Sequence, residues 1–211
     1  MEREDEVKPV VSKAEPCPFG PELEHYWARL TERERAMQLD AEGLYSLAIQ
    51  AVALPIAERI PGKIVIDAFC GSGGFSIALA RAGKQVIAID TDAKRLAMAE
   101  FNSTLWDLPT PIRFIHGDAR SWIPLLPADA ILLDPPWGGA DYQTRGVFRL
   151  EDFQPNGREL LRKATEAAPF VALRIPKTFD MKQLSELQMP YQVEDNLFDG
   201  KIYHKMVYFG G

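Results

Sequence analysis

From residue 63 onward the sequence alternates short apolar runs with longer amphipathic ones, and the short runs repeatedly stop at an aspartate. The runs at 63–67, 85–90, 112–116, 129–134 and 170–175 have the length and branched-chain content of buried strands. Between them, 75–82, 93–106 and 157–168 read as helices, the first stopped by Gly83. Two final runs, 191–197 and 203–209, flank Asp199-Gly200, a dipeptide suited to a tight hairpin turn. Strand–helix alternation predicts an α/β fold with a mostly parallel, doubly wound sheet, here closed by a C-terminal antiparallel hairpin. Such sheets bind ligands beyond the carboxyl ends of their strands. Asp67, Asp90 and Asp134 fall at those ends.

Ahead of this region, residues 1–20 read as a disordered tail and 21–60 as a helical extension. Within the extension, 24–39 forms one expected helix with Tyr26, Trp27, Leu30 and Met37 as its apolar positions. A second spans 44–60, with Pro55 as a kink or break. Pro61-Gly62 then opens the domain at 61–211. No apolar run approaches the roughly 18 residues of a membrane span. Cys17 and Cys70 suit neither a zinc cluster nor a disulfide framework, and His25, His116 and His204 are too scattered for a metal site. A reduced, cytoplasmic setting is expected. The net charge of −6 argues against a grip on long nucleic acid through its phosphates, and is compatible with a locally read target.

Asp67-Ala68-Phe69-Cys70-Gly71-Ser72-Gly73-Gly74 joins the first strand to a helix. Glycines serve where a backbone turns tightly against a ligand, and the helix start presents free amides. A dinucleotide turn wants a third glycine where Ser76 stands. Asp67 decides further by sign. It would repel a pyrophosphate and favour the cationic sulfonium and amino groups of S-adenosylmethionine. Asp90, at the end of the second strand, can accept from both ribose hydroxyls. Asp118, after the third strand, is placed to accept from an adenine amino group. Phe69 and Thr91 complete the expected cofactor set.

Asp134-Pro135-Pro136-Trp137-Gly138-Gly139 follows the fourth strand. An exocyclic amine on a nucleobase is a poor nucleophile, because its lone pair is delocalised into the ring. Methyl transfer to it needs acceptors for its N–H groups. Asp134 and the Pro135 carbonyl can supply them on a loop stiffened by two prolines. Trp137 can stack on the base.

These segments together resemble the trimethylguanosine synthase family, the RNA cap guanine-N2 methyltransferases, within the Rossmann-like class I methyltransferases. The similarity runs from His25 to the C-terminus. It is carried by Tyr26-Trp27 with Arg29, by 39–46 (Leu-Asp-Ala-Glu-Gly-Leu-Tyr-Ser), by 67–74, 87–90 and 135–139, by Asp141-Tyr142, and by Tyr208-Phe209-Gly210. The resemblance implies an S-adenosylmethionine site lined by Asp67, Gly71, Gly73, Asp90, Asp118 and Ala119, yielding S-adenosylhomocysteine. It implies stacking of guanine on Trp137, with Tyr45 covering the site. The chain departs from the family where Asp134 replaces a serine, Ala48-Ile49 a Thr-Pro, and Leu44 a tryptophan. No basic cluster for a cap triphosphate is visible, so the expected acceptor is guanine in another RNA or a guanosine-containing small substrate.

Arg174 and Lys177, flanking the fifth strand's end, are the expected phosphate contacts. Arg145, Arg149, Arg158, Arg162 and Lys163 are interleaved with acids and read equally as a solvated face. Cys70 reads as a packing residue, and Trp106 and Trp122 as core. An adenine-N6 or protein-amide methyltransferase, which Asp134 also suits, and a non-catalytic module of the same fold are the alternatives.

Overall fold

A computed structural model of the chain describes residues 16–138 and 146–210. Its centre is a seven-stranded sheet in the order β3-β2-β1-β4-β5-β7-β6. The strands are β1 (Ile64–Asp67), β2 (Gln85–Asp90), β3 (Ile112–His116), β4 (Ala130–Leu133), β5 (Phe170–Ile175), β6 (Tyr191–Phe198) and β7 (Lys201–Phe209). The first five run parallel, and β7 enters antiparallel between β5 and β6. Every residue of β4 is buried, as expected of a central parallel strand covered on both faces. The outward chain of one face packs against α4 (Gln50–Arg59), α5 (Gly74–Arg81) and α6 (Ala93–Ser103). The other face packs against α7 (Ala119–Trp122), α8 (Gly157–Ala167) and α9 (Lys182–Glu186). The α/β, doubly wound reading is therefore the observed fold, with β2, β3 and β5 at the bounds read from the sequence. Asp199 (φ 50°) and Gly200 (φ 71°) both take left-handed conformations in the two-residue hairpin turn.

The helical extension is more broken than its composition suggests. Instead of two long helices it forms α1 (Glu24–Trp27), α2 (Glu32–Arg35), α3 (Ala41–Ser46) and α4. Thr31 starts α2 with a capping box, its hydroxyl accepting from the Glu34 amide while Glu34 accepts from the Thr31 amide. Asp40 starts α3 by accepting from the Gly43 amide. Each such cap contributes about 1 kcal/mol, enough to set new starts in a run of good helix formers. The second break falls at Leu47–Ile49 and not at Pro55, which lies inside α4. Pro55 and Ala51 are both exposed, which puts the Ala51 carbonyl, deprived of its helical donor, on the solvent side of the helix. Residues 1–15 of the expected tail lie outside the described residues. Cys17 and Phe19 do not behave as tail, because they pack against the core.

Buried polar side chains fix the extension to the sheet domain. Glu34, 2% exposed, accepts from the Gln50 amide at 2.7 Å. The Gln50 side chain donates to the Gly74 carbonyl at 2.8 Å. Asn102, fully buried, accepts from the Gln38 amide and donates to the Gln38 and Ser72 carbonyls. Gly43 and Gly74 permit close approach here, since a Cβ on either would crowd Ser72 or the backbone of Ala48. The result hangs α3 over the glycine loop.

Candidate active site

The carboxyl ends of the strands and the underside of the extension enclose a cleft of about 880 Å³. The glycine loop forms its floor. Gly71 (φ 51°) faces open space, and a Cβ there would meet nothing within 4 Å. Gly73 (φ 93°) packs instead against Ala99 and does not line the cleft.

Asp67 is fully buried beneath this loop. Ser76 Oγ donates to its Oδ2 at 2.6 Å, so the residue at the missing third glycine has a use of its own. Oδ1 has no hydrogen-bond partner among the described residues. Burial pushes the carboxyl up to about 7, against the Ser76 bond and with added repulsion from Asp134 and Asp90. A buried carboxyl with an orphaned oxygen gains from a cationic or donating neighbour. That is the chemistry of a sulfonium and an amino group. Asp67 does not itself line the cleft and would answer that charge from beneath the loop. Phe69, Gly71, Asp90 and Thr91 line it and fit S-adenosylmethionine.

Asp90 accepts from the Gly71 amide at 2.8 Å on Oδ2 and from the Asp92 amide at 2.9 Å on Oδ1. Both oxygens are thereby aimed, and each keeps a second lone pair for a hydroxyl donor. Phe69 and Thr91 stand beside it on the cleft wall. Asp118 lines the cleft with its carboxylate already engaged. It caps α7 and holds Arg120 through both oxygens, at 2.6 to 3.1 Å, which lowers its carboxyl below the usual range. Ala119, 2% exposed, lies in the core and does not line the cleft.

On the acceptor side, parallel pairing sets Leu133 opposite Leu173. The next residues along, Asp134 and Arg174, therefore meet, and Arg174 Nη1 donates to Asp134 Oδ2 at 2.7 Å. Arg174 also donates to the Ser46 carbonyl at 3.1 Å, and its guanidinium sits 5.1 Å from the Trp137 ring centre. This corrects the reading of Arg174 as a phosphate contact, since its charge is committed to Asp134. Burial raises the Asp134 carboxyl while Arg174 opposes the rise. Pro135, Trp137, Tyr45 and Lys177 line the same cleft. Burial and the nearby Glu42 carboxylate push the Tyr45 hydroxyl up to about 12.

Several cleft residues escaped the sequence reading. His25, Arg29 and Lys201 join Lys177 around the cleft. Arg29 is held over the rings of Tyr26, Tyr203 and Phe198 at 5.1, 5.6 and 5.9 Å. A basic group thus does assemble, from positions too distant in sequence to form a visible cluster. Arg95 crosses from α6 to Glu42 at 2.5 Å and Asp40 at 3.4 Å. Arg158 and Arg162 pair with surface glutamates, the solvated reading. Cys70 and Trp106 are buried. Among the described residues no group of His, Cys, Asp and Glu could hold a metal. Gly139, Asp141-Tyr142 and Arg145 lie outside the described residues.

Residues 62–208 match the family described as RNA cap guanine-N2 methyltransferase. The trimethylguanosine synthase of Schizosaccharomyces pombe is 31% identical over 204 residues, covering 87% of this chain and 84% of that protein. The 23S rRNA (uracil(1939)-C(5))-methyltransferase RlmD of Acidithiobacillus ferrooxidans is 33% identical over 121 residues, 53% of this chain and 28% of its own length. A solved structure of a proposed methyltransferase from Porphyromonas gingivalis superposes with a TM-score of 0.69 at 18% identity, covering 81% of this chain and 42% of that one. That last likeness concerns the fold alone.

Proposed function

The chain belongs to the RNA cap guanine-N2 methyltransferase family, as an S-adenosylmethionine-dependent methyltransferase, and on that premise we propose that it methylates the exocyclic N2 of a guanine in RNA. The observation that carries the reading is Asp134, a carboxylate at the end of β4 beside the ring of Trp137 in the cleft. When bound, S-adenosylmethionine supplies an electrophilic methyl group.

Phe69, Gly71, Asp90 and Thr91 are the residues to hold it, with Asp67 buried beneath them. Asp67 answers positive charge and Asp90 answers hydroxyl donors. Trp137 offers its face to a base. The Asp134 carboxylate and the Pro135 carbonyl accept N–H hydrogen bonds and favour a pyramidal nitrogen whose lone pair has left conjugation with the ring, and the proton lost on methylation can leave by way of Asp134. Tyr45 and the rest of α3 roof the cleft and keep water from the amine. Positioning and a fixed field of this kind are the main sources of rate in a one-step transfer. Arg29, Lys177 and Lys201 have no carboxylate partner among the described residues and suit a few RNA phosphates. A short basic rim agrees with a locally read target on an acidic chain.

The test is tritiated methyl transfer to total RNA and to a capped guanosine analogue, followed by nucleoside digestion. N2-methylguanosine from RNA supports the reading, and N6-methyladenosine replaces it with the adenine alternative. Asp134→Ala should lose transfer and keep S-adenosylhomocysteine binding. Near-normal turnover in that variant removes Asp134 from the mechanism.

A further inference from the structure

We propose that Arg174 fixes the base specificity of the site, by keeping Asp134 an anion that accepts two adjacent N–H donors and so selects guanine over adenine. The inference rests on the guanine reading above. Asp134 and Arg174 are largely withdrawn from water, with side-chain exposures of 17% and 6%. The open part of Asp134 faces the cleft.

Buried alone, a carboxyl favours its neutral form. A neutral carboxyl presents one donor and one acceptor. That pattern complements the edge of adenine, whose N6 amine donates beside an N1 that accepts. A carboxylate presents acceptors only. It complements guanine, whose N1–H and N2 amine donate side by side, and it repels the N1 lone pair of adenine. The charge state of Asp134 therefore chooses the base.

The groups around Asp134 leave that choice to Arg174. Asp67 on β1 is a second acid, and its repulsion favours a neutral Asp134. Asp90 on β2 acts in the same sense on Asp67. On β7, His204 is fully buried beside Arg174, which together with burial holds its imidazole neutral. Lys177 shares the cleft wall, whereas Arg174 bonds Asp134 directly at 2.7 Å. The guanidinium is itself packed among Trp137, Phe75 and Tyr203, with ring centres 5.1 to 5.9 Å away. One rigid group thus sets the charge of the acceptor and its position relative to the stacking ring. Arg174 acts through Asp134 and is a positioning residue.

The experiment compares two oligoribonucleotides that differ only in a guanine or adenine at the target, with S-adenosylmethionine saturating, over acid to neutral pH. Arg174→Met keeps length and removes charge. It should move the acid limb of kcat for guanine upward by about one pH unit or more, and lower the guanine-to-adenine ratio about tenfold or more. Arg174→Lys should keep the wild-type limb. Asp67 is coupled to Asp134 and titrates beside it, so the guanine-to-adenine ratio is the reading that isolates Asp134. S-adenosylhomocysteine affinity unchanged within about twofold certifies the fold. A slower Arg174→Met with the same limb and ratio overturns the inference and leaves Arg174 a structural role. Where Arg174→Met does not fold, Asp134→Asn gives the second measurement. Its amide offers one acceptor and one donor, so the ratio should shift toward adenine, and an unmoved ratio overturns the inference. Wild-type preference for adenine would instead reject the guanine reading itself, before any variant is made.

Discussion

Ser76 Oγ lies 2.6 Å from Asp67 Oδ2, and both side chains are fully buried. A hydroxyl set on α5 and the Phe69 backbone are what the folded chain provides to a carboxyl at the end of β1. The other carboxyl oxygen has no partner among the described residues. The carboxyl is therefore left with a deficit beneath the glycine loop.

That deficit makes ligand-free stability depend on pH. The folded Asp67 carboxyl, at about 7, stands above its unfolded value. At low pH both states hold the proton and the group contributes nothing. As pH rises from about 4 to 7 the unfolded chain releases the proton first, so stability falls through this window by at most about 4 kcal/mol. Asp67→Asn should flatten that decline in a thermal-melting series and weaken S-adenosylmethionine binding more than S-adenosylhomocysteine binding. A melting profile identical to wild type across the window would show that Asp67 is not the group responsible.

Ser76→Ala removes the hydrogen bond and leaves the carboxyl in place. A buried acceptor deprived of its partner costs about 1–3 kcal/mol. Chemical denaturation should register that loss, and because the Ser76 bond opposes the rise of the Asp67 carboxyl, the ligand-free decline should extend to higher pH. A change below about 0.5 kcal/mol would mean that water replaces the hydroxyl.

Asp90→Ala removes the acceptor of the Gly71 and Asp92 amides as well as the expected ribose contact. Calorimetric titration with S-adenosylhomocysteine should show at least about a tenfold loss, or 1.4 kcal/mol. Unchanged affinity would remove Asp90 from the cofactor site.

Glu34→Ala tests how the extension is held. Glu34 receives the Gln50 amide and both the amide and hydroxyl of Thr31 while only 2% exposed. Losing these should cost about 2–4 kcal/mol, read by denaturation, and speed hydrogen exchange across 41–46. By contrast Arg95→Ala breaks part-exposed pairs and should cost less than about 1 kcal/mol. Equal losses in the two variants would contradict this division.

The parts of the fold that were legible in the sequence depend on local chemistry. Buried parallel strands declare themselves as short apolar runs, and Asp199-Gly200 declares its turn by tolerance of positive φ. The extension was misread because its residues favour helix throughout. The signals that break it, Thr31 three residues before Glu34 and Asp40 three before Gly43, were local and readable, but weaker than the composition around them. Helices as short as α7 and α9 carry no periodicity to find. In the site, Asp67, Asp90 and Asp134 could be placed because strand ends place them. The pairing of Asp134 with Arg174 could not, because it comes from the register of β4 against β5. Nor could the hold of Arg120 on Asp118, which turns on a rotamer.

The roof over the cleft is held by Gln50 and Asn102, two buried side chains that hydrogen-bond across the seam, with Glu34 fixing Gln50 from within the extension. A roof fastened this way acts as a wall more than as a flap, and opening it to admit a helix of RNA would break those buried bonds. On the guanine reading the burden of rearrangement falls on the substrate. A base reaches Trp137 only once it has left its stack and its pairing, and the energy of that departure favours ends, bulges and single-stranded stretches over duplex. Where this chain acts would then be decided as much by how easily a nucleotide comes loose as by the letters that surround it.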